Sequence, residues 1–174
     1  DTFTIAVTVN PEPSIVDVVQ TICSGDTFTV TPTNTAPDVV PTGTTYTWTV
    51  AAPAGITGAS NQATGQTSIS QTLTNTTSTS LSAIYTVTAS VGTAPNICTD
   101  TFDITVTVNP KPSIADVTQA ICTGNTFTVT PTNTAPDVVP TGTTYTWTVT
   151  TPAGITGASN QATAQTSISQ TLSN

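Results

Sequence analysis

The sequence predicts an all-β protein built from tandem β-sandwich domains that follow one another in an extended rod. Residues 1–75 recur almost letter for letter at 100–174. This spacing fits whole domains, because solenoid repeats recur every 20 to 50 residues or so. Apolar residues alternate with Thr in short runs, as they do on the two faces of a strand. Turn-forming residues separate these runs at regular intervals, which is typical of all-β domains.

The repeat period, 100 − 1 = 99 residues, divides the chain into three parts. Residues 11–109 are predicted to form one complete sandwich repeat. Residues 1–10 are predicted to be the last strand of a preceding repeat, because their second copy at 100–109 follows the strand-like run 83–90. Residues 110–174 are predicted to be a partial second repeat without its last two strands. Such a partial domain would expose sheet edges and half a core, so we expect the natural chain to continue.

Strands are predicted where aromatic or branched residues alternate with Thr, Ser or other polar residues. In chain order they cover 28–30, 46–50, 69–73, 85–87 and 102–108, with a less regular strand over 15–22. Gly, Pro and Asn mark the turns between them. No window of ten residues shows helical periodicity. Six or seven short strands in each repeat are typical of an immunoglobulin-like sandwich.

The inward-facing aromatic residues of these strands are the predicted core. Trp48, on the strand after the first long loop, is its expected centre, and Trp147 is the equivalent residue in the second copy. Phe28, Tyr85 and Phe102 occupy the matching positions on three other strands. Thr makes up about a quarter of the chain. It is predicted to form the solvent-exposed faces of the strands, since it has high β propensity and is polar without charge.

The charge composition excludes several classes of partner. The chain has one basic residue, Lys111, against nine acidic ones, no His, and a net charge of −8. Such a surface cannot neutralise phosphates, so we expect neither nucleic acid nor an anionic membrane as a partner. No apolar run approaches the ~20 residues that a membrane span needs, so direct membrane insertion is not expected either.

Several motifs resemble the PKD-like repeat domain. They are Val-Asn-Pro-x-Pro-Ser-Ile at 9–15 and 108–114, the run Ile22 to Val30, the run Gly43 to Trp48, the run Ile69 to Asn75, and Tyr-Thr-Val-Thr at 85–88. Similar repeats occur in very large surface proteins of the Bacteroidetes, including gliding-motility adhesins. The resemblance covers essentially the whole chain. It implies a secreted cell-surface protein exported by the type IX route, whose repeats form a stalk or filament.

The cysteines favour an oxidising, extracellular location. A disulfide between Cys23 and Cys98 is one prediction, and in the chain-entropy model it would stabilise the domain by about 4 kcal/mol. Cys122 has no predicted partner within the sequence, because the counterpart of Cys98 would fall at 98 + 99 = 197. In an ordinary sandwich, however, the two predicted half-cystines lie near opposite ends, roughly 20 Å apart, which no disulfide spans. A bridge between neighbouring repeats and free thiols are the two alternatives.

The sequence predicts no catalytic residues, no cofactor and no designed metal site. The carboxylates are scattered, and a hydroxyl nucleophile would lack a base because the chain has no His. Zinc would need four clustered ligands. Calcium, which acidic extracellular repeats often bind, would need several carboxylates close in sequence, and Asp38 and Asp100 mark only places for an adventitious ion.

The short linkers and the long loops bear on the function of the repeats. Residues 10–14 and 109–113 each contain two prolines, which favour a stiff joint between adjacent repeats. We therefore predict a stalk whose partners are neighbouring repeats of the same chain and external surfaces or polysaccharides. The alternative is a carbohydrate- or surface-binding module that acts through loops 32–43 and 53–67. Two further hypotheses are an accessory domain beside a secreted hydrolase and an ice-binding array of Thr ladders.

Overall fold

The structure is a computed structural model that describes residues 1–174. It has 13 strands and no helix. The strands of the first repeat are β1 (Val18–Cys23), β2 (Thr27–Val30), β3 (Thr45–Ala51), β4 (Ile56–Thr57), β5 (Gln62–Gln66), β6 (Ile69–Thr72), β7 (Thr74–Asn75), β8 (Leu81–Thr93) and β9 (Asn96–Asn109). Those of the second are β10 (Thr126–Val129), β11 (Tyr145–Trp147), β12 (Gln161–Gln165) and β13 (Ile168–Thr171).

The chain divides into two compact units, which are described separately. The first unit comprises Asp1–Thr76 with Ser80–Asn109, and the second comprises Thr77–Thr79 with Pro110–Asn174. Residues 1–10 are exposed and belong to no strand, so their assignment as the last strand of a preceding repeat stays a prediction.

A five-stranded sheet in the order β1-β9-β8-β3-β5 forms one layer of the first unit. The long hairpin of β8 and β9 is its centre, and β3 and β5 extend it antiparallel on one side. On the other side β1 pairs with β9 in parallel, with Val18 opposite Ile104 and Cys23 opposite Asn109. The first and last strands of the unit therefore lie side by side and run in the same direction.

The second layer consists of the antiparallel pairs β2-β6 and β4-β7. Phe28 and Ile69 from this layer are buried against the inner face of the five-stranded sheet. The ring of Phe28 lies 5.0 Å from the ring of Tyr85, and that of Tyr46 lies 6.4 Å from the ring of Phe102 in an edge-on arrangement. The predicted all-β, immunoglobulin-like sandwich is confirmed.

The second unit repeats the small sheets without a counterpart of the central hairpin. β10 pairs with β13 and β11 pairs with β12, in the same register as β2 with β6 and β3 with β5. Residues 117–122, the copy of β1, form no strand, because no copy of β9 follows within the sequence to pair with them. Its core positions are consequently only half-buried.

Each predicted strand of the first repeat overlaps an observed one, but one segment differs. Residues 53–67 were expected to be a loop, and they contain β4 and β5. β5 has no buried residue, so it lacks the apolar alternation that marks the other strands. Its pairing with β3 at the edge of the sheet stabilises it instead, and the sequence shows no sign of that pairing.

Candidate functional site at the two ends of the repeat

The chain enters the first sandwich at a well-anchored segment, which we call the head of the repeat. Pro13, within the proline-rich linker, and Ile15, directly after it, are both buried. Ser14 exchanges two backbone hydrogen bonds with Val39, of 2.9 and 2.8 Å, and this pair ties the linker to loop 32–43. The linker thus ends in a segment that is packed into the domain and has little freedom of its own.

Aspartate side chains fix the backbone around this segment. The amide of Ile15 donates to Asp100 Oδ2 at 2.9 Å, and the amide of Val16 donates to Asp38 Oδ1 at 3.0 Å. Conversely, Asp17 lies on the entering segment, and its Oδ1 accepts a hydrogen bond from the backbone amide of Asp103 on β9 at 2.8 Å. Hydrogen bonds to an ionised carboxylate are stronger than neutral ones. Sequence reasoning saw these residues only as scattered carboxylates, although Asp17, Asp38 and Asp1 recur at equivalent positions.

The chain leaves the sandwich at the end of β9, which we call the tail of the repeat. The backbone amide of Ser24 donates a hydrogen bond to the carbonyl of Asn109 at 2.8 Å. The hydroxyl of Ser80 donates to the side-chain oxygen of Asn109 at 2.8 Å. Buried Asn75 donates from Nδ2 to the carbonyl of Val108 at 2.8 Å. These bonds hold the last residues before the next linker against three other segments of the same domain.

The head and the tail lie at opposite ends of β9. The head is fixed at Asp100 and the tail at Asn109, a separation of about 30 Å at the rise of an extended strand. A repeat of this kind takes in the chain at one end and releases it at the other.

The same geometry corrects the prediction of a disulfide between Cys23 and Cys98. Cys23 pairs with Asn109 at the tail, whereas Cys98 pairs with Val91 beside the turn between β8 and β9. The length of β9 between residues 98 and 109 is about 36 Å, far beyond the reach of a disulfide. None of Cys23, Cys98 and Cys122 forms a disulfide within this chain. A bridge between neighbouring repeats and free thiols stay as predictions.

The predicted core residues occupy different environments in the two units. Phe28, Trp48, Tyr85 and Phe102 are buried. Trp147 is only half-buried, because the second unit has no copy of β8 to cover it. Burial raises the pKa of Tyr85 to about 12. Burial and then the charge of Asp38 raise the pKa of Tyr46.

The two long loops are tethered to the sandwich by hydrogen bonds. In loop 32–43, the backbone amide of Val40 donates a hydrogen bond to Asn34 Oδ1 at 3.0 Å. The hydroxyl of Thr44 donates to the carbonyl of Pro41 at 2.7 Å. In the segment 53–67, Trp48 donates its indole N–H to the carbonyl of Ser60 at 3.0 Å. None of the five Trp and Tyr residues is exposed.

The acidic and thiol side chains are dispersed over the structure. No group of three or more His, Cys, Asp or Glu side chains could hold a metal ion. The carboxylates at the head accept hydrogen bonds from backbone amides, so their role there is to stabilise the fold. No buried side-chain nitrogen or oxygen lacks a hydrogen-bond partner. The structure has no helix with the length and hydrophobicity that crossing a membrane requires.

Comparison with known families agrees with this architecture. The family model described as PKD-like domain matches residues 20–112 and, separately, residues 119–174. The chain belongs to the PKD-like domain family. The two matches correspond to the two copies of the internal repeat, so both copies are PKD-like domains. Domains of this immunoglobulin-like kind are typically non-catalytic. No curated protein and no solved structure matches the chain.

Proposed function

We propose that these PKD-like repeats form a structural stalk or filament of a large, secreted bacterial cell-surface adhesin, which serves surface adhesion and gliding motility. The placement of head and tail at opposite ends of β9 is the observation that carries this proposal. Repeats joined end to end in this way would gain length with every unit. Each repeat with its linker would add about 45 Å, so ten repeats would project several hundred ångströms.

The pairing of β1 with β9 suits a stalk that must withstand tension. A pull on the linker before β1 and on the linker after β9 would slide these two parallel strands past each other. Six residue pairs, from Val18 with Ile104 to Cys23 with Asn109, would then resist together. If the strands were peeled apart instead, the same bonds would break one after another at much lower force.

The surface chemistry supports a passive role. A net charge of −8 with a single Lys keeps adjacent filaments soluble and discourages binding to nucleic acid. Adhesion would then come from length and from many weak contacts made at once, in the manner of multivalent binding. The repeats would act as spacer and scaffold of an adhesin whose targets are external surfaces or polysaccharides.

Antibody labelling of live, unpermeabilised cells of the source organism tests this proposal. An antibody raised against the 174-residue chain should label the cell surface, and label that moves along the cell body would support a motility adhesin. Static surface label would contradict the motility part and retain a passive stalk. Label that appears only after permeabilisation would overturn the proposal altogether.

A glycan array probed with the 174-residue chain separates the stalk from a carbohydrate-binding module. We expect no specific binding, because loops 32–43 and 53–67 present no exposed Trp or Tyr. Saturable binding that is lost on exchange of either loop for a Gly-Ser linker would favour the binding module instead.

A further inference from the structure

We propose that glutamine side chains close the open edges of the first sandwich, and that they keep β5 of one chain from pairing with β5 of a second copy. β5 is the last strand in the order β1-β9-β8-β3-β5, so one of its sides has no neighbouring strand. Such an edge presents main-chain N–H and C=O groups to which another strand can add. This protection needs no particular biological role for the repeats.

The usual protections of a sheet edge are absent from β5. Natural edge strands often carry charged residues, Lys above all, or Pro. β5 reads Gln-Ala-Thr-Gly-Gln at 62–66 and has neither, and the whole chain has a single basic residue. Its three central residues are exposed. An exposed edge without charge needs another means of staying unpaired.

The main-chain groups of Thr64 are the exposed point of this edge. Gln62 and Gln66 lie opposite residues of β3 that are only two positions apart, so residues 63–65 bulge away from β3. The amide of Thr64 donates a hydrogen bond to Gln62 Oε1 at 3.4 Å. The carbonyl of Thr64 accepts one from Gln66 Nε2 at 3.2 Å. Two glutamines of the same strand thus occupy both groups through which Thr64 could bind another strand.

A third glutamine covers a main-chain group between the two layers. β1 and β2 are edge strands of different sheets. Gln20 on β1 donates from Nε2 to the carbonyl of Thr29 on β2 at 3.3 Å. The second unit repeats this bond and that of Gln66, at 3.5 and 3.3 Å. The amide of a Gln side chain can donate and accept, so it can satisfy either kind of main-chain group without adding charge.

A second copy of the chain is the partner that an uncovered β5 would accept. An antiparallel pair centred on Thr64 sets Gln62 opposite Gln66 and Ala63 opposite Gly65, so the strand matches itself in reverse. In such a pair the two Thr64 residues exchange both main-chain hydrogen bonds. The contact would be isologous, since each copy gives and accepts the same two bonds. Near-identical domains in one chain make misassembly of this kind a particular risk.

Sedimentation velocity of the 174-residue chain compares an edge variant with its parent. Gln62→Val with Gln66→Val removes both side-chain bonds to Thr64, and the average mass should rise with concentration more steeply than that of the parent. Thr49→Val with Thr86→Val adds the same side chains at exposed positions on β3 and β8, which have neighbours on both sides. This control should sediment as the parent does. If the edge variant also does so, or if both variants associate equally, the proposal is wrong.

A disulfide trap tests the register without adding apolar surface. With all three native cysteines changed to Ser, Thr64→Cys gives each chain one thiol, so every disulfide joins two chains. Gln62→Thr with Gln66→Thr leaves side chains too short to reach the main chain of residue 64, and should raise the yield of disulfide dimer several-fold. Thr86→Cys on β8 is the control, and its dimer yield should not change with the same two substitutions. Equal yields from Thr64→Cys with and without the two glutamines would overturn the proposal.

Discussion

The indole nitrogen of Trp48 and the side-chain amide of Gln71 donate to the same acceptor, the carbonyl of Ser60. The two N···O distances are 3.0 and 2.8 Å. Gln71 also accepts from the backbone amide of Ser60 at 3.0 Å and from the hydroxyl of Tyr85 at 2.8 Å. One amide side chain on β6 thereby connects the segment before β5 with the opposite sheet. The second unit repeats the arrangement with Trp147, Ser159 and Gln170.

Replacing Gln71 should destabilise the first unit measurably. Gln71→Leu leaves the buried hydroxyl of Tyr85 without its acceptor, and an unsatisfied buried polar group costs about 1–3 kcal/mol. Gln66→Leu is the matched control, because the Gln66 side chain donates only to Thr64 two residues away and should cost much less. Urea unfolding monitored by Trp fluorescence measures both. Equal midpoints for the two variants would show that the Gln71 amide makes no net contribution.

Gly58 should tolerate no side chain, for a reason that differs from that at Gly25. Both have positive φ, of 89° and 92°. A Cβ at Gly58 would overlap the carbonyl oxygen of Thr72, whereas nothing lies within 4 Å of one at Gly25. Gly25→Ala should thus cost only the left-handed strain of about 1–2 kcal/mol. Gly58→Ala should cost roughly 1–3 kcal/mol more, because Thr72 is held in β6 by pairing with β2 and cannot move away from the added methyl group. Denaturant midpoints that do not differ would contradict this steric explanation.

Alternation and turn chemistry predicted the parts of the fold that depend on burial. The strands around Phe28, Trp48, Tyr85 and Phe102 could be located because each buries an aromatic ring on one face. β5 was missed, since an edge strand without buried residues has no such signal.

The ends of the repeat depend on contacts between residues far apart in sequence. Asp100 accepts the amide of Ile15, 85 positions earlier, and no local pattern indicates that bond. The disulfide prediction failed for a related reason. It required Cys23 and Cys98 to be near each other, and only the register of β1 along β9 shows that they are not.

The stability of the first unit should fall steeply between pH 10 and pH 12. Burial raises the pKa of Tyr85 from 10.0 to about 12, so the folded state favours the neutral phenol. The unfolded chain releases that proton above pH 10, and stability that is fully present below pH 10 is lost as the pH rises towards 12. Tyr85→Phe should reduce this pH-dependent loss of stability. The loss that remains in the variant comes from Tyr46, whose pKa is also raised. Urea midpoints at several pH values measure it, and identical slopes for both proteins would refute the assignment to Tyr85.

All three thiols should react in the native chain, at two rates. Cys23 and Cys122 are exposed and should be alkylated quickly, whereas half-buried Cys98 should react more slowly. After incubation with oxidised glutathione, peptide mapping of the monomer should find no peptide that joins Cys23 to Cys98. Such a peptide in a folded monomer would mean that the β1-β9 register is wrong. The reduced and fully alkylated chain provides the reference masses.

The direction of pull should decide how much force the first unit withstands. Handles on Glu12→Cys and Lys111→Cys, in a background with all three native cysteines changed to Ser, would pull the head and the tail in opposite directions. Tension would then shear the parallel pairs between β1 and β9 together. Handles on Glu12→Cys and Asn96→Cys would both act at the head end, where β1 can be peeled from β9 one pair at a time. Single-molecule rupture forces should be a few-fold higher in the first geometry. Equal forces would mean that β1 and β9 do not form the mechanical link between consecutive repeats, and would remove the main physical reason for a stalk under tension.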